Sequence, residues 1–492
     1  MSRINTNVSA LVAQNNLMKS QADMKTRLER LSTGLQINRG SDNPAGLIVS
    51  QRLQSEINGI TQAIANSQRA TNVISTTEAA LGEVSNLLNS IKALTVEAAN
   101  TSAFSKEEIQ ANQLQIDSAV ESITRISNTT SFAGLKLLNG SLDYLMSGVD
   151  ATNVQDVKVY GANFGTASSI PVTVEVLASA KVASLFLSTY SAAAPTGALL
   201  SSVSFEIQGV TGTQAFSFVS GTALSAVAFA INQVSDSTGV AARMHTAGDQ
   251  TSGMYLESSD FGSSAFVSVR KIEHGSFFQT YSAKGGGGVA TNRDTGQDVL
   301  ALVNGNLAVG DGTKVGLHSS SLNIDMNLTA AGNTLTAGTP YSFTVTGGGA
   351  RYQIGPSVNS QQQVGFGIQS VAASHLGNDT LGYLNSVVSG GANSLVAGQA
   401  QQASQIIDAA ITQIAVLRGR LGAFQKNTLE TSVNSQQIAL ENLTASESQI
   451  RDTDFASETS KLTRSQVLTQ AGTSVLAMAN QTSQNVLKLL GG

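Results

Sequence analysis

The residues of this sequence that could catalyse a reaction or bind a metal are few and widely separated. The four histidines are His245, His274, His318 and His375. None stands in an H-E-x-x-H pair or at metal-ligand spacing from another ligand. The chain contains no cysteine, which excludes a thiol nucleophile, a thiolate metal site and a disulfide. We therefore expect no enzymatic activity and no catalytic, metal-binding or cofactor-binding residues.

Two further patterns favour structural roles over chemistry. The run GGGG at 285–288 lacks the lysine and the serine or threonine of a phosphate-binding loop, so it is interpreted as a linker. The carboxylates of IRDTDFASE, which are Asp452, Asp454 and Glu458, could suggest an acidic metal site. A helix start explains them better. Asp452 or Thr453 would cap the last helix, and the other two acids would complement the positive end of its dipole.

The charge balance and the hydropathy pattern exclude several classes of partner. The 492-residue chain has a formal net charge of -5, and its charged residues make up 12%, about half the usual share of roughly 25%. Its arginines are mixed with acids and amides, so the sequence predicts no nucleic-acid binding. No stretch reaches the roughly 18 apolar residues of a membrane helix, and residues 1–20 lack a secretory signal. We expect no membrane insertion, and secretion would need a dedicated export machine.

The amino-acid composition of the chain changes twice along its length. Residues 1–130 and 395–492 are rich in Leu, Ile, Gln, Asn, Ser and Ala, whereas residues 140–390 are rich in Gly, Ser, Thr, Val and Ala in short alternating runs. The predicted fold class is multidomain α + β. Long antiparallel coiled-coil-like helices come from both termini, and β-rich central domains are inserted between them.

This division predicts five segments. They are a helical segment (1–42), a long-helix segment with a β-hairpin (43–150), a β-rich surface-exposed region (151–392), the returning long helix (393–449) and a last helical segment (450–492). The β-rich region is expected to hold two subdomains, one of which includes a strand-strand-helix-strand unit at 203–244. A separate hairpin is predicted at YSFTVTGGGARYQIG, with Phe343 and Val345 opposite Tyr352 and Ile354.

The inner helices carry long apolar stripes at spacings of three and four. The first long helix begins after Asn43, a predicted N-cap, and Pro44. The predicted core-packing residues are Leu53, Ile57, Ile60, Ile64, Leu81, Leu88, Ile91, Ile407, Ile414, Leu417, Leu421 and Phe424. Such sustained spacing is typical of coiled-coil packing, so an intramolecular helical bundle explains these stripes.

The outermost helices also carry apolar stripes, which the rest of the chain is not expected to cover. Their apolar residues are Ile4, Val8, Leu11, Leu17, Met24, Leu28, Leu31, Leu468, Val475, Ala479, Val486, Leu487 and Leu490. If these helices pair lengthwise, two helices alone make only a thin pair. We therefore predict that partner chains bury the remaining surface and that the chain polymerises.

Both ends of the chain resemble bacterial flagellin. The matching stretches are INTNVSALVAQNNL, RLSTGLQIN, AGLIVSQRL and SFAGLKLLNG at the N-terminal end, and IRDTDFASE and LTQAGTSVLAMANQTSQNVL at the C-terminal end. The unit at 203–244 is similar to a small module of some flagellins. The resemblance implies a subunit of the extracellular flagellar filament that serves swimming motility. Its terminal helices would form an inner tube, with the long helices around it and the middle facing outward.

The resemblance also implies a set of partners. The chain would form a helical homopolymer with itself. It would be exported unfolded through the hollow flagellum, with a chaperone on its C-terminal helix, and would meet the filament cap and the hook-junction proteins. The terminal segments would be unfolded in the free subunit, because their ordering entropy is offset only when neighbours bury them.

One departure from the family concerns the innate immune receptor for flagellin. Family members that the receptor senses carry an arginine where this sequence has Ser90 and a glutamate where it has Gln115, although Leu94 is kept. The resemblance therefore implies a receptor-contact region at these residues that does not support activation.

Two alternatives stay open at this point. The stretch SDNPAG is also close to the hook–filament junction protein, although ANQTSQNVLKLL favours flagellin. A secreted adhesin or enzyme displayed on a coiled-coil stalk would place its activity in the middle region. Deleting about residues 150–390 distinguishes these classes, because a polymer would still assemble and an adhesin or enzyme would lose its activity.

Overall fold

The chain folds into two compact units. The computed structural model describes residues 6–188, 197–274, 278–282, 288–319, 321–334 and 340–490, without the side chains of Ser188, His274 and residues 482–490. One unit consists of Met1–Thr71, Gln353–Val358 and Phe424–Gly492, and the other of Asn72–Tyr352 and Asn359–Ala423. The five-segment division stays a prediction.

Long helices occupy both ends of the described chain, and short helices lie in the middle. They are α1 (Val8–Thr33), α2 (Pro44–Ala98), α3 (Lys106–Thr129), α4 (Leu224–Asn232), α5 (Ser235–Thr238), α6 (Ala330–Asn333), α7 (Ala400–Phe424), α8 (Thr431–Arg451) and α9 (Phe455–Leu490). A π-helical stretch at Gln425–Glu430 joins α7 to α8. The predicted fold class, with helical ends around a β-rich middle, is confirmed.

Helix α2 shows why its sequence favours a long helix. Its 55 residues span about 80 Å at 1.5 Å per residue. From residue 60 onward its buried residues, apart from Val73, follow one another at spacings of three and four, at Ile60, Ala63, Ser67, Ala70, Ile74, Thr77, Leu81, Val84, Leu88, Ile91, Thr95 and Ala98. This is the period of a coiled-coil seam, which keeps one face of the helix buried over this stretch.

In the second unit, α2 and α7 run antiparallel to each other. The Lys92 ammonium contacts the Asp408 carboxylate, and Arg418 Nη2 lies 3.9 Å from Glu78 Oε1. Of the predicted core residues, the buried ones are Ile60, Leu81, Leu88, Ile91, Ile407, Ile414, Leu417 and Leu421. The half-buried ones are Leu53, Ile57, Ile64 and Phe424.

Helix α3 is fixed in the second unit by a buried glutamine. The Gln113 side chain is fully buried. Its Nε2 donates to the Val387 carbonyl at 2.9 Å and to Asp117 Oδ1 at 2.8 Å. Its Oε1 accepts from the Leu395 amide at 2.8 Å. One side chain therefore satisfies two main-chain groups of the segment that leads into α7.

We predict that Gln113→Leu destabilises the second unit by about 2–4 kcal/mol, because each buried main-chain group left unpaired costs about 1–3 kcal/mol. Urea unfolding of the free subunit, followed by circular dichroism, measures the change. The matched control is Gln115→Leu, on the exposed face of the same helix, which should change stability by less than about 0.5 kcal/mol. Equal effects of the two substitutions would contradict the assigned role of Gln113.

The middle of the chain consists of short antiparallel strands. They are β1 (Ser131–Phe132), β2 (Leu135–Lys136), β3 (Tyr144–Ser147), β4 (Val154–Ala162), β5 (Ile170–Ala178), β6 (Val182–Ser188), β7 (Val203–Gln208), β8 (Thr213–Phe218), β9 (Val240–Thr246), β10 (Asp249–Phe261), β11 (Phe266–His274), β12 (Gln279–Tyr281), β13 (Arg293–Thr295), β14 (Leu300–Val303), β15 (Asn306–Leu307), β16 (Val309–Asp311), β17 (Lys314–His318), β18 (Leu322–Leu328), β19 (Tyr341–Gly348), β20 (Ala350–Gln353), β21 (Gln363–Phe366), β22 (Gly377–Asn378) and β23 (Gly382–Tyr383).

The four larger sheets form two β modules, each around its own apolar core. Sheets β15-β14-β5-β19-β3 and β16-β17-β18-β4 enclose one core. Sheets β12-β6-β10-β9 and β13-β11-β7-β8 enclose the other, together with α4. In the second module β7, β8, α4 and β9 occur in the strand-strand-helix-strand order predicted from the sequence, with the short helix α5 between α4 and β9.

The predicted hairpin at YSFTVTGGGARYQIG is wrong. Strand β19 pairs with β5 and β3, so Phe343 lies opposite Val172. Strand β20 belongs to a separate two-stranded sheet with β21. The physical reason is burial. Phe343 and Val345 are 3% and 0% exposed in the core of the larger sheet, a position that a local hairpin does not offer.

Candidate polymer interface

In the first unit, α1 and α9 run antiparallel along each other. Asn7 Nδ2 donates to the Ala479 carbonyl at 3.0 Å near one end of the pair. Arg27 Nη1 donates to Glu458 Oε1 at 2.8 Å near the other end. The two outermost long helices of the sequence are therefore paired lengthwise.

The seam between α1 and α9 consists mostly of small and polar residues. Its less exposed positions are Ala10, Ala13, Leu17, Ser20, Met24, Arg27 and Leu31 on α1, and Glu458, Leu462, Ser465, Thr469, Gly472, Leu476 and Ala479 on α9. An added Cβ at Gly472 would lie 3.3 Å from Leu17 Cδ1, so the glycine permits close approach. In the described part of this seam only Ala13, Glu458 and Ser465 are buried. The pair buries little apolar surface by itself.

Larger apolar side chains lie outside the seam and are exposed in the single chain. The exposed fractions are 57% for Val8, 52% for Leu11, 50% for Leu28, and 49% for both Leu468 and Val475. Burying a side chain of this size contributes about 1.5–3 kcal/mol. Several of them on one helix pair leave an apolar surface uncovered in the single chain.

The other predicted interface residues fall into two groups. Those in the seam are half-buried, and they are Leu17, Met24, Leu31 and Ala479. Those outside the described part of the chain are Ile4 and the side chains of Val486, Leu487 and Leu490.

Sequence reasoning missed several exposed apolar residues of these two helices. They are Val12, Met18, Phe455, Val467 and Met478. Met18 follows Leu11 by one heptad, and Met478 follows Val475 by three residues. The helical periodicity therefore carries a signal for these two methionines.

Glu458 is a buried acid surrounded by cations. Its side chain is 5% exposed, with Arg27 Nη1 at 2.8 Å, Lys461 Nζ at 3.6 Å and Arg30 Nη1 at 3.7 Å. Burial by itself raises the pKa of the Glu458 carboxyl. The hydrogen bond and charge of Arg27, with the charges of Lys461 and Arg30, outweigh burial and hold this pKa below its usual value of 4.5. The carboxylate is therefore charged at neutral pH and ties α9 to α1.

The connection after α1 meets the connection between α8 and α9. Gly34 ends α1 with a φ of 74°, a left-handed conformation that suits glycine. The Thr453 amide donates to the Gly34 carbonyl at 2.9 Å. Leu35 and Asp452 form an antiparallel bridge, which holds Asp452 in an extended conformation at the end of α8.

The prediction that Asp452 caps the last helix is wrong, because its backbone is held in that bridge. The cap is Asp454, whose Oδ1 accepts hydrogen bonds from the amides of Ala456 at 2.9 Å and Ser457 at 3.1 Å. Helix α9 therefore begins at Phe455, later than a cap at Asp452 would place it.

Asn43, the other predicted cap, lies directly before α2, and the predicted receptor-contact residues lie on α2 and α3. The Asn43 Oδ1 accepts from the Gly46 amide at 2.9 Å, which satisfies a free donor at the start of α2. Ser90 and Gln115 are exposed and Leu94 is half-buried.

Within the residues that the structure describes, no group of three or more histidine, cysteine or acidic side chains is arranged to hold a metal. Nor does any described helix combine the length and apolar character needed to cross a membrane. Asp454 and Glu458, weighed above as metal ligands, instead accept hydrogen bonds from main-chain amides and from Arg27.

Family models match three parts of the chain. The bacterial flagellin N-terminal helical region matches residues 4–143, and the corresponding C-terminal helical region matches residues 404–490. The flagellin hook IN motif matches residues 204–260, which include β8, α4 and β9. The matches therefore include both α1 and α9.

Known relatives align with almost the whole chain. Flagellin of Salmonella rubislaw is 30% identical over 512 aligned residues, which cover 99% of each chain. B-type flagellin of Pseudomonas aeruginosa is 28% identical over 529 aligned residues, again 99% of each chain. The helical ends, the β-rich middle and these relatives define a structural protein. The chain belongs to the bacterial flagellin family.

Solved structures resemble the chain more weakly. Flagellar hook associated protein-3 of Legionella pneumophila is 13% identical, with a TM-score of 0.30 over 81% of this chain and 98% of that one. The flagellar cap protein FliD of Escherichia coli is 16% identical, with a TM-score of 0.30 over 49% of this chain and 64% of that one. Scores this low do not establish a shared fold.

Proposed function

We propose that this chain is the structural subunit of the extracellular bacterial flagellar filament and that it polymerises with itself through α1 and α9. The observation that carries the proposal is the exposure of apolar side chains outside the α1–α9 seam, in a chain whose family matches include both helices. Neighbouring subunits would bury the apolar side chains that α1 and α9 leave exposed. Membership of the flagellin family supports swimming motility as the role of the filament.

The small apolar surface buried between α1 and α9 supports folding of the terminal helices on assembly. Ordering a helix costs about 1–2 kcal/mol of backbone entropy per residue, and the seam buries few apolar side chains to offset this. The terminal helices would be unfolded in the free subunit and would fold when neighbours cover them. An unfolded C-terminal segment suits an export chaperone and passage through the hollow flagellum. The filament cap and the hook-junction proteins would be the partners at the two ends of the filament.

The family relationship favours the filament subunit over the two alternatives. Relatives named flagellin align with 99% of the chain, which favours this role over that of the hook–filament junction protein. A structural family also favours a chain without enzymatic activity over a displayed adhesin or enzyme.

We also infer that this chain does not activate the innate immune receptor for flagellin. Neutral side chains at Ser90 and Gln115 stand where sensed family members carry an arginine and a glutamate. A receptor reporter assay tests this: the natural chain should be silent, and the double variant Ser90→Arg with Gln115→Glu should give a response.

Seeded growth tests the polymer proposal. The purified full chain should elongate filament fragments into long filaments visible by electron microscopy. Deletion of residues 150–390 should leave elongation in place, because the matches to the terminal helical regions end at 143 and resume at 404. A full chain that does not elongate seeds contradicts the proposal.

We predict that filaments lose stability in acid through Glu458. A carboxyl whose pKa is lower in the folded state stabilises that state above its unfolded pKa, and the contribution is lost as the pH falls through the folded pKa. With the usual value at 4.5, the contribution is fully present at neutral pH and disappears in acid below that value. The melting temperature of filaments, followed by sedimentation at stepwise lower pH, measures the loss. Glu458→Gln filaments should lack this part of the decline, and an unchanged acid profile in the variant would refute the assignment.

A further inference from the structure

Strand β8 lies at the free edge of its sheet. The strand order is β13-β11-β7-β8, and β8 pairs with β7 without a register shift from Thr213 opposite Gln208 to Phe218 opposite Val203. In the described part of the chain no strand pairs with its other side. Alternate amides and carbonyls of β8 therefore have no strand partner among the described residues.

The segment around β8 carries no charge. Residues 207–235 contain no aspartate, glutamate, lysine, arginine or histidine. Natural edge strands are protected from pairing with identical copies by charged side chains, proline, bulges or short length. Strand β8 has six residues and an unbroken register, without charge or proline.

The other edges of the four larger sheets are protected. Strand β9 carries Arg243 and His245, and β4 carries Asp156 and Lys158 and is interrupted by register shifts. Strands β12, β13 and β16 have three residues each and β15 has two. Strand β3 is interrupted by a register shift opposite β19. Among the described edges of these sheets, β8 alone lacks every one of these protections.

Exposed apolar side chains flank this edge. Val210 precedes β8 and is 51% exposed, and Val219 follows it and is 70% exposed. Phe229, in the same uncharged segment, is 66% exposed. A strand added beside β8 would pair with the main-chain groups that β7 leaves unpaired.

We propose that β8 pairs edge to edge with a strand of a second copy of this chain in the filament. The inference rests on the proposed function, because a filament holds copies at fixed spacing and makes a short strand contact effectively intramolecular. A second copy is the fitting partner because the missing protections are those that act against identical copies. Polymerised subunits would thus be joined through their β modules as well as through α1 and α9.

Hydrogen exchange of the full chain, measured in the free subunit and in seeded filaments, tests this pairing. Amides of 213–218 that point away from β7 should exchange at least about tenfold more slowly in filaments. The charged edge strand β9 is the internal control and should exchange alike in both states. Filaments in which β8 exchanges as in the free subunit would overturn the pairing and leave the proposed function intact. A chain that forms no filaments would refute the proposed function, and the pairing with it.

A charge placed on the edge gives a second readout. Ala215 is exposed in the middle of β8 and Ser225 is exposed on α4, so lysine fits at either position in the free subunit. Ala215→Lys should remove the filament-dependent protection of β8, and Ser225→Lys should retain it. Protection that survives Ala215→Lys would overturn the edge-to-edge arrangement.

Discussion

Val475→Asp is expected to stop seeded elongation at concentrations where the natural chain grows. Val475 is 49% exposed in the single chain, so an aspartate there meets water in the free subunit. In the filament the same position would be covered by a neighbour. Because about half of Val475 is already covered in the single chain, losing its further burial costs about half of the roughly 1.5–3 kcal/mol of a fully buried side chain. Burying an unpaired carboxylate costs more. Because each 1.4 kcal/mol is a factor of about ten in an equilibrium constant, the critical concentration should rise at least tenfold.

The matched control for this substitution is Gln470→Asp. Gln470 is exposed on the same helix, but the helical period places it on the opposite flank from Leu468 and Val475. The Gln470→Asp substitution adds the same charge to α9 and should raise the critical concentration much less than Val475→Asp. Equal losses in the two variants would show that charge on α9, and not the apolar flank, determines growth.

Glu458→Gln is expected to lower the stability of assembled subunits by about 3 kcal/mol. Removing one partner of a buried ion pair costs about 3–5 kcal/mol. The lower end of this range applies because the Arg27 and Arg30 side chains are still 23% and 18% exposed. The substitution leaves both guanidinium groups beside an uncharged amide. The melting temperature of filaments at neutral pH measures the effect.

The control for Glu458 is a second ion pair on α1. Glu29 pairs with Arg39 at 2.8 Å, but the Arg39 side chain is 66% exposed. Exposed pairs contribute about 0–1 kcal/mol, so Glu29→Gln should leave the melting temperature almost unchanged. A small effect of both substitutions would mean that Glu458 does not tie α9 to α1.

The sequence predicts the long helices well because their packing signal is local and repeated. In α2 the spacing of three and four recurs from Ile60 to Ala98, and burial of one continuous helix face explains it. The same logic identified the apolar flank of the terminal helices, including Val8 and Val475. It could not show that the α1–α9 seam is built from small and polar residues such as Ala13 and Ser465, because these carry no hydrophobic signal.

Contacts between distant residues could not be predicted from the sequence. Arg27 and Glu458 are separated by 431 positions, and nothing local links them. The same limit explains the wrong cap at Asp452, whose backbone is held by a bridge to Leu35. It also explains the wrong hairpin, since β19 pairs with the distant strand β5 and not with β20, the next strand in the sequence.

The most direct test of polymerisation through the terminal helices is electron microscopy of seeded growth with two preparations, the full chain and the chain lacking residues 474–492. The shortened chain loses Val475 and Met478, which are 49% and 58% exposed in the single subunit, and the Ala479 carbonyl that binds Asn7. Only the full chain should elongate the seeds. Growth of the shortened chain as readily as the full chain would contradict burial of α9 by other copies.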